Sequence, residues 1–255
     1  MVDTSHDGLV IRQFGPRAHD YVASTVHARG HDLDAIAAIA SARRPARALD
    51  LGCGGGHVSF AISPHAREVV AVDISDDMLA AVSEEAGRRG LQGVTTRRAG
   101  VEALPFADAS FDLVASRFSA HHWQDLAAGL SEARRVLGAQ GVAVFADVYS
   151  PGRGLLDTHL QAVELLRDPS HFRNRTLAEW VGMVSEAGFR PIEITTSKLR
   201  LDFESWIRRM ATAPAHVAAI RSLQQGASEP IRRRFGVEAD GSFTLDTMLM
   251  VADPD

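Results

Sequence analysis

The stretch Ala46-Arg47-Ala48-Leu49-Asp50-Leu51-Gly52-Cys53-Gly54-Gly55-Gly56-His57-Val58-Ser59-Phe60 constrains the chain more than any other. Ala48, Leu49 and Leu51 form a short apolar run of the kind found in a parallel strand covered on both faces, and glycines punctuate its end. Such glycines allow positive φ and close approach of backbone to a ligand. The free N–H groups that open the next helix favour a carboxylate or a phosphate. The stretch therefore reads as strand, turn and helix of a nucleotide-type cofactor site in an α/β sheet.

The spacing narrows the cofactor. A dinucleotide fingerprint, G-x-G-x-x-G, would need glycine at position 57, which is His57. What stands here is Asp50-x-Gly52-x-Gly54-x-Gly56, and a second acid, Asp73, closes the next apolar run, Val69 to Val72. That is where a ribose-binding carboxylate belongs in a Rossmann-like sheet. The pattern resembles motifs I and II of the class I S-adenosylmethionine-dependent methyltransferases. The resemblance implies that Asp50 and the turn Gly52, Cys53, Gly54, Gly55 and Gly56 hold the amino acid part of S-adenosylmethionine. Asp73 would take the ribose hydroxyls, and Ile74 and Met78 would offer apolar faces to the adenine.

A second stretch carries the likeness further. Residues 99–114, Ala-Gly-Val-Glu-Ala-Leu-Pro-Phe-Ala-Asp-Ala-Ser-Phe-Asp-Leu-Val, are similar to the G-D-A-E-x-L-P-F-x-D-x-S-F-D-L-V run of methyltransferases typified by the ubiquinone and menaquinone C-methyltransferases. The acid that in many members receives the adenine amino group is here Gly100. Adenine recognition then falls to backbone around Gly100 and Val101, to Glu102, or to stacking on Ile74; Glu102 also reads as a charge at a helix N-terminus. Shorter likenesses, Arg167 to Arg173 and Ser205 to Arg209, resemble the R-D-P-S-H-x-R and S-W-I-K/R-R segments of a bacterial branch of small-molecule methyltransferases.

With 255 residues, 45% of them apolar, the chain can bury one α/β core, so we expect a single domain over residues 1–255. Residues 1–45 would supply lid helices, 46–150 the cofactor core and 151–255 a substrate-side half with helical cap insertions. A net charge of −5 provides no footprint for nucleic acid or an anionic membrane, which leaves a small-molecule substrate. The single cysteine, Cys53, excludes an intramolecular disulfide and fits a cytoplasmic location. The reading leaves room for a homodimer.

In chain order, residues 1–12 read as a poorly tied terminus. Helices follow over 16–28 and 32–42, with Gln13, Phe14 and Tyr21 as lid candidates. Strands are expected at 68–74, 94–98, 113–118, 142–148 and 191–201, the last with one covered face, and 243–251 forms an antiparallel edge strand. Asp76 and Asp125 are expected N-caps, and 150–175 an insertion over the active site. The fold class is a Rossmann-like, doubly wound, seven-stranded sheet, mostly parallel with an antiparallel last strand. Arg232-Arg233-Arg234 reads as a solvated helix face.

Methyl transfer is an in-line displacement that needs alignment, exclusion of water and, for a protonated nucleophile, a base. His121, His122, His171 and Tyr21 are the candidates near the methyl, and the resemblance puts Arg117 against the cofactor. Adjacent loop histidines point different ways and make a poor metal pair, so no metal is expected. A nicotinamide reductase lacks support, since no Tyr-x-x-x-Lys pair accompanies Lys198, the only lysine. A nucleic-acid methyltransferase would carry an Asn- or Asp-Pro-Pro-aromatic motif where Ser116-Arg117-Phe118-Ser119 stands. A cofactor-binding protein without methyl transfer, or a cyclase or decarboxylase using the same cofactor, is the alternative, and stoichiometric release of S-adenosylhomocysteine separates the two.

Overall fold

The computed structural model describes residues 3–22 and 30–255. In chain order these form α1 (His6–Phe14), α2 (Ala18–Val22), α3 (His31–Arg43), β1 (Arg47–Leu51), α4 (His57–Ile62), β2 (Glu68–Asp73), α5 (Asp76–Arg88), β3 (Val94–Arg98) and β4 (Phe111–Arg117). There follow α6 (Leu126–Val136), β5 (Leu137–Val148), α7 (Gly154–Arg167), α8 (Leu177–Glu186), β6 (Phe189–Leu201), α9 (Phe203–Arg209), α10 (Pro214–Gln225), α11 (Glu229–Phe235) and β7 (Phe243–Pro254). The seven strands lie in the order β3-β2-β1-β4-β5-β7-β6, with β7 antiparallel to both its neighbours and the other pairings parallel. This is the doubly wound, Rossmann-like sheet the sequence predicts.

The strand pattern explains the layers. Alternate residues of β1 divide between the faces: Ala48 packs with Ile36, Val58 and Ile62 of α3 and α4, whereas Leu49 and Leu51 pack with Leu126, Leu130 and Trp180 of α6 and α8. Met78 and Ala81 of α5 pack on Ala18 of α2, which brings the lid over the ends of β1 and β2. A further apolar core, including Leu160, Phe203, Trp206, Ile220, Phe235 and Phe243, joins α7, α9, α10 and α11 into a cap beside the carboxyl end of β5. Burying one side chain the size of Phe203 contributes about 1.5–3 kcal/mol, so this cap is held by its own interior.

Several expectations are corrected. β7 is not an edge strand: Leu249 and Val251 are buried on one face and Met248, Met250 and Ala252 on the other, so it needs cover on both sides and lies between β5 and β6. β6 is the edge, and its residues 192–198 are exposed rather than covered on one face. The N-terminus is tied. The Ser5 side chain accepts from Gly8 N at 3.0 Å and caps α1; His6 Nε2 donates to the His122 carbonyl at 2.9 Å, and Gln124 Nε2 donates to Asp7 Oδ1 at 2.8 Å. Of the helix expected over 16–28, Gly15–Arg17 is a tight 3₁₀ turn and α2 covers 18–22, the remainder lying outside the described residues. Ser75, not Asp76, caps α5, and Asp125 caps α6 as expected. The arginine run is not wholly a solvated face, because Arg234 pairs with Asp246, which is 5% exposed.

Candidate active site

β1, β2, β4 and β5 all deliver their carboxyl ends to one side of the sheet, the side where open α/β sheets bind ligands. At the end of β1, Gly52 has φ +62°, and a Cβ there would stand 1.8 Å from Ser119 Oγ. A Cβ on Gly55 would meet the Tyr21 carbonyl at 2.7 Å, so the turn fits closely beneath α2. Asp50 is buried, and its Oδ2 accepts from Ser59 N at 3.0 Å and Ser59 Oγ at 2.7 Å, which ties β1 to α4. Burial pushes the Asp50 carboxyl up to about 7, against the pull of these hydrogen bonds. Asp73 is likewise raised by burial, while Oδ1 accepts from Ser75 N at 2.9 Å and Oδ2 from Gly54 N at 3.0 Å. Cys53 is a packing residue whose thiol burial pushes up.

These groups wall a first cavity roofed by Phe14 and Tyr21. Of the residues expected at the cofactor, Asp50, Gly52, Cys53, Gly54, Gly55, Asp73, Ile74, Met78, Val101, Glu102 and Arg117 line it; Gly56 and Gly100 do not. Gly56 instead packs against Val82 and Phe60, where a Cβ would come within 2.9 Å and 3.0 Å. No helix begins at Glu102. Its Oε1 lies 3.5 Å from the backbone N of Asp125, and its Oε2 would be 3.5 Å from a Cβ at Gly100, so its carboxylate stands beside position 100. Arg117 is paired with Asp32 through two guanidinium nitrogens, tying β4 to α3.

A second cavity adjoins the first and shares Phe14, Tyr21, Arg117, Phe118 and His122 with it. Phe118 adopts φ +51°, a strained left-handed conformation that turns the chain out of β4 between the two cavities. Just beyond it His121 Nδ1 lies 2.6 Å from Asp147 Oδ1 at the end of β5, and His121 N donates to Asp147 Oδ2 at 3.2 Å. Burial works against the imidazolium, but Asp147 more than offsets it, and His121 is raised above the usual histidine range. The His122 ring lies 4.2 Å from that of His121, tilted by 47°, so the two rings lie side by side rather than pointing apart as expected. Burial and its neighbour pull His122 down to about 4. His122 Nδ1 is 3.0 Å from the Ser170 carbonyl, which fixes it as the donor.

His171, expected near the methyl, lines neither cavity; its Nε2 is 2.9 Å from Gln161 Oε1, and burial pulls it down to about 2. Tyr21 lines both cavities, and its hydroxyl approaches Met210 Sδ at 2.9 Å. Gln13 reaches the Met210 carbonyl at 3.2 Å instead of a cavity. Among the described residues no group of three or more His, Cys, Asp or Glu is placed to hold a metal, and no helix is long and apolar enough to cross a membrane.

Sequence reasoning missed Asp147, Glu164, Arg167, Asn174 and Arg209. Asp147 had a signal, a carboxylate inside the apolar run Val142 to Val148. Arg167 and Arg209 stand in the two short segments that carry a family likeness, without a role attached to them; Glu164, within α7, and Asn174, in the segment after α7, have no local signature.

Residues 49–145 match a family model described as a methyltransferase domain. The YafE protein of Escherichia coli K12 is 44% identical over 79% of this chain and 97% of its own length. The uncharacterised methyltransferase YcgJ of Bacillus subtilis is 34% identical over 87% of this chain and 88% of its own. The YcgJ crystal structure superposes with a TM-score of 0.84 at 32% identity, covering 88% of this chain and 98% of that one. Both the cavity-bearing sheet and the sequence that builds it are thus shared along nearly the whole of these relatives, and the chain belongs to the methyltransferase family.

Proposed function

We propose that the chain moves a methyl group from S-adenosylmethionine to an oxygen, nitrogen or carbon nucleophile of a small molecule, acting as one domain in the cytoplasm without nucleic acid or membrane. One observation carries the reading: a cavity walled by a glycine turn and two carboxylates shares Tyr21 and His122 with a second cavity lined by His121, whose Nδ1 lies on Asp147. The first fits an adenosyl ligand. Asp73 retains acceptor capacity for ribose hydroxyls, Ile74 and Met78 offer apolar surface to adenine, and Glu102 can take the adenine amino group in place of the acid missing at position 100. Gly52, Gly54 and Gly55 carry no Cβ where the amino acid part would lie.

When bound, the cofactor supplies an electrophilic methyl carbon and leaves as S-adenosylhomocysteine. The protein's part is alignment and proton control. Phe14, Tyr21, Phe118 and Arg117 form the shared wall that holds the two ligands in contact and excludes water. His121, oriented by Asp147 through Nδ1, keeps Nε2 to receive the acceptor's proton. His122 is too weakly basic to compete and serves as a positioning residue.

Calorimetric titration of S-adenosylmethionine, S-adenosylhomocysteine and NAD into the protein and its Asp73→Ala variant tests the cofactor half. The adenosyl ligands should bind at roughly micromolar concentration, weaken at least about 100-fold in the variant, and NAD should not bind. NAD binding alone would overturn the reading. Release of one S-adenosylhomocysteine per methylated acceptor separates transfer from a cofactor used only for binding or charge.

A further inference from the structure

The second cavity contains polar groups that the fold leaves without partners. Asn174 is 1% exposed, and neither Oδ1 nor Nδ2 of its amide has a hydrogen-bond partner among the described residues; the same holds for Glu164 Oε1 and for the buried Nε of Arg209. All three residues line that cavity, together with Arg167. Arg167 Nε donates to the Trp206 carbonyl at 3.1 Å, and its guanidinium carbon lies 5.1 Å from the Trp206 ring centre, so the head group is braced but unpaired with any carboxylate among the described residues. The acids nearby are otherwise engaged. Asp168 accepts from Ser170 N at 2.9 Å and Ser170 Oγ at 2.6 Å, and Asp147 holds His121.

An uncompensated guanidinium in a partly dry cavity is costly, and its planar fork matches carboxylate and phosphate oxygens. Burial raises the carboxyl of Glu164 while Arg167 pulls it down, and burial together with Arg167 lowers Arg209, so an anion laid between the two arginines would relieve both. Both arginines also act electrostatically on the Tyr21 hydroxyl, and Tyr21 lines both cavities.

We infer that the methyl acceptor is an acid, a carboxylate or a phosphate, gripped by Arg167 and Arg209 with the Asn174 amide donating to it, so that its nucleophile stands between Tyr21 and His121. The inference rests on the methyl-transfer reading and names its substrate class. A cation held by Glu164 is the competing chemistry.

The test is calorimetric titration of glutarate, inorganic phosphate, glutaramide and cadaverine into the full chain, with and without saturating S-adenosylhomocysteine. One of the two anions should bind, and which one does identifies the acid. Glutaramide and cadaverine should not bind. Arg209→Gln and Arg167→Gln should each weaken the anion at least about tenfold, and Arg209→Lys should fall between Arg209→Gln and wild type. Thermal unfolding checks that each variant folds, and the lysine variant decides the matter if a glutamine variant does not. Failure of both anions to bind, equal binding of glutaramide, preference for cadaverine, or unchanged anion affinity in the variants overturns the inference. Absence of S-adenosylhomocysteine binding strikes the cofactor reading instead, while the titrations run without it still decide the arginine pair.

Discussion

The two cavities are built on opposite principles. In the first, the two carboxylates at the strand ends are already held in place by hydrogen bonds: Asp50 by Ser59, Asp73 by Gly54 and Ser75. In the second, Glu164, Asn174 and Arg209 keep buried polar atoms without partners. A satisfied wall is preorganised and suits one unvarying ligand, because little must rearrange on binding. An unsatisfied wall is a demand for a specific complement, since a ligand that lacks the matching groups leaves the desolvation cost standing. On the proposed reading, cofactor binding belongs to the sheet and acceptor choice to the arginines of the cap.

Breaking the His–Asp pair should have the largest effect. Asp147→Asn should lower turnover on any protonated acceptor by about 10²–10⁴-fold, with S-adenosylhomocysteine affinity unchanged. The same variant should move the pH profile. On the proposed base role the neutral imidazole is the active form, and Asp147 raises the His121 pKa, so activity in the wild type should rise with pH through a value above the ordinary 6.5. Without that carboxylate the rise should come at lower pH, and an unshifted profile in steady-state assays would remove His121 from the proton path. If the cap stands on its own interior, Trp206→Ala should destabilise the protein by about 3–5 kcal/mol in urea unfolding. At ligand concentrations where it remains folded, adenosyl affinity should persist and acceptor turnover should be lost.

Asp50 sharpens the contrast in another way. Its folded pKa of about 7 lies above the ordinary 3.8, so protonated Asp50 stabilises the fold fully below the lower value, and the contribution is lost as pH rises through the higher one. Asp50→Asn should therefore flatten the fall in stability between about pH 4 and 7, measured by unfolding midpoints across that range. Least of all, Arg233→Ala breaks only an exposed pair with Glu229 and should leave midpoint and turnover unchanged.

The first cavity was legible because its residues are close in sequence: one turn, one acid at the end of the following strand and a residue near Gly100 stand at spacings that the fold itself dictates. The second is assembled from α3, α7, α9, β6, β7 and the segment after α7, elements far apart in the chain, and no periodicity announces that Glu164 and Arg209 converge. The place of β7 is written in its apolar residues on both faces, set against the mostly polar run from Glu193 to Lys198, and that contrast marks β7 as the interior strand. The paired orientation of His121 was hidden for the same reason as the cap, since Asp147 lies 26 residues away on another strand.

The placement of β6 bears on how the molecule keeps to itself. An outermost strand of thirteen residues with Ile192 and Ile194 exposed is a template on which another sheet could polymerise. Pro191 withholds a backbone donor near one end, and Arg190, Glu193, Lys198 and Arg200 would be stripped of water by any strand laid alongside. Charge on this one strand thus sets a desolvation cost against any strand laid along this edge.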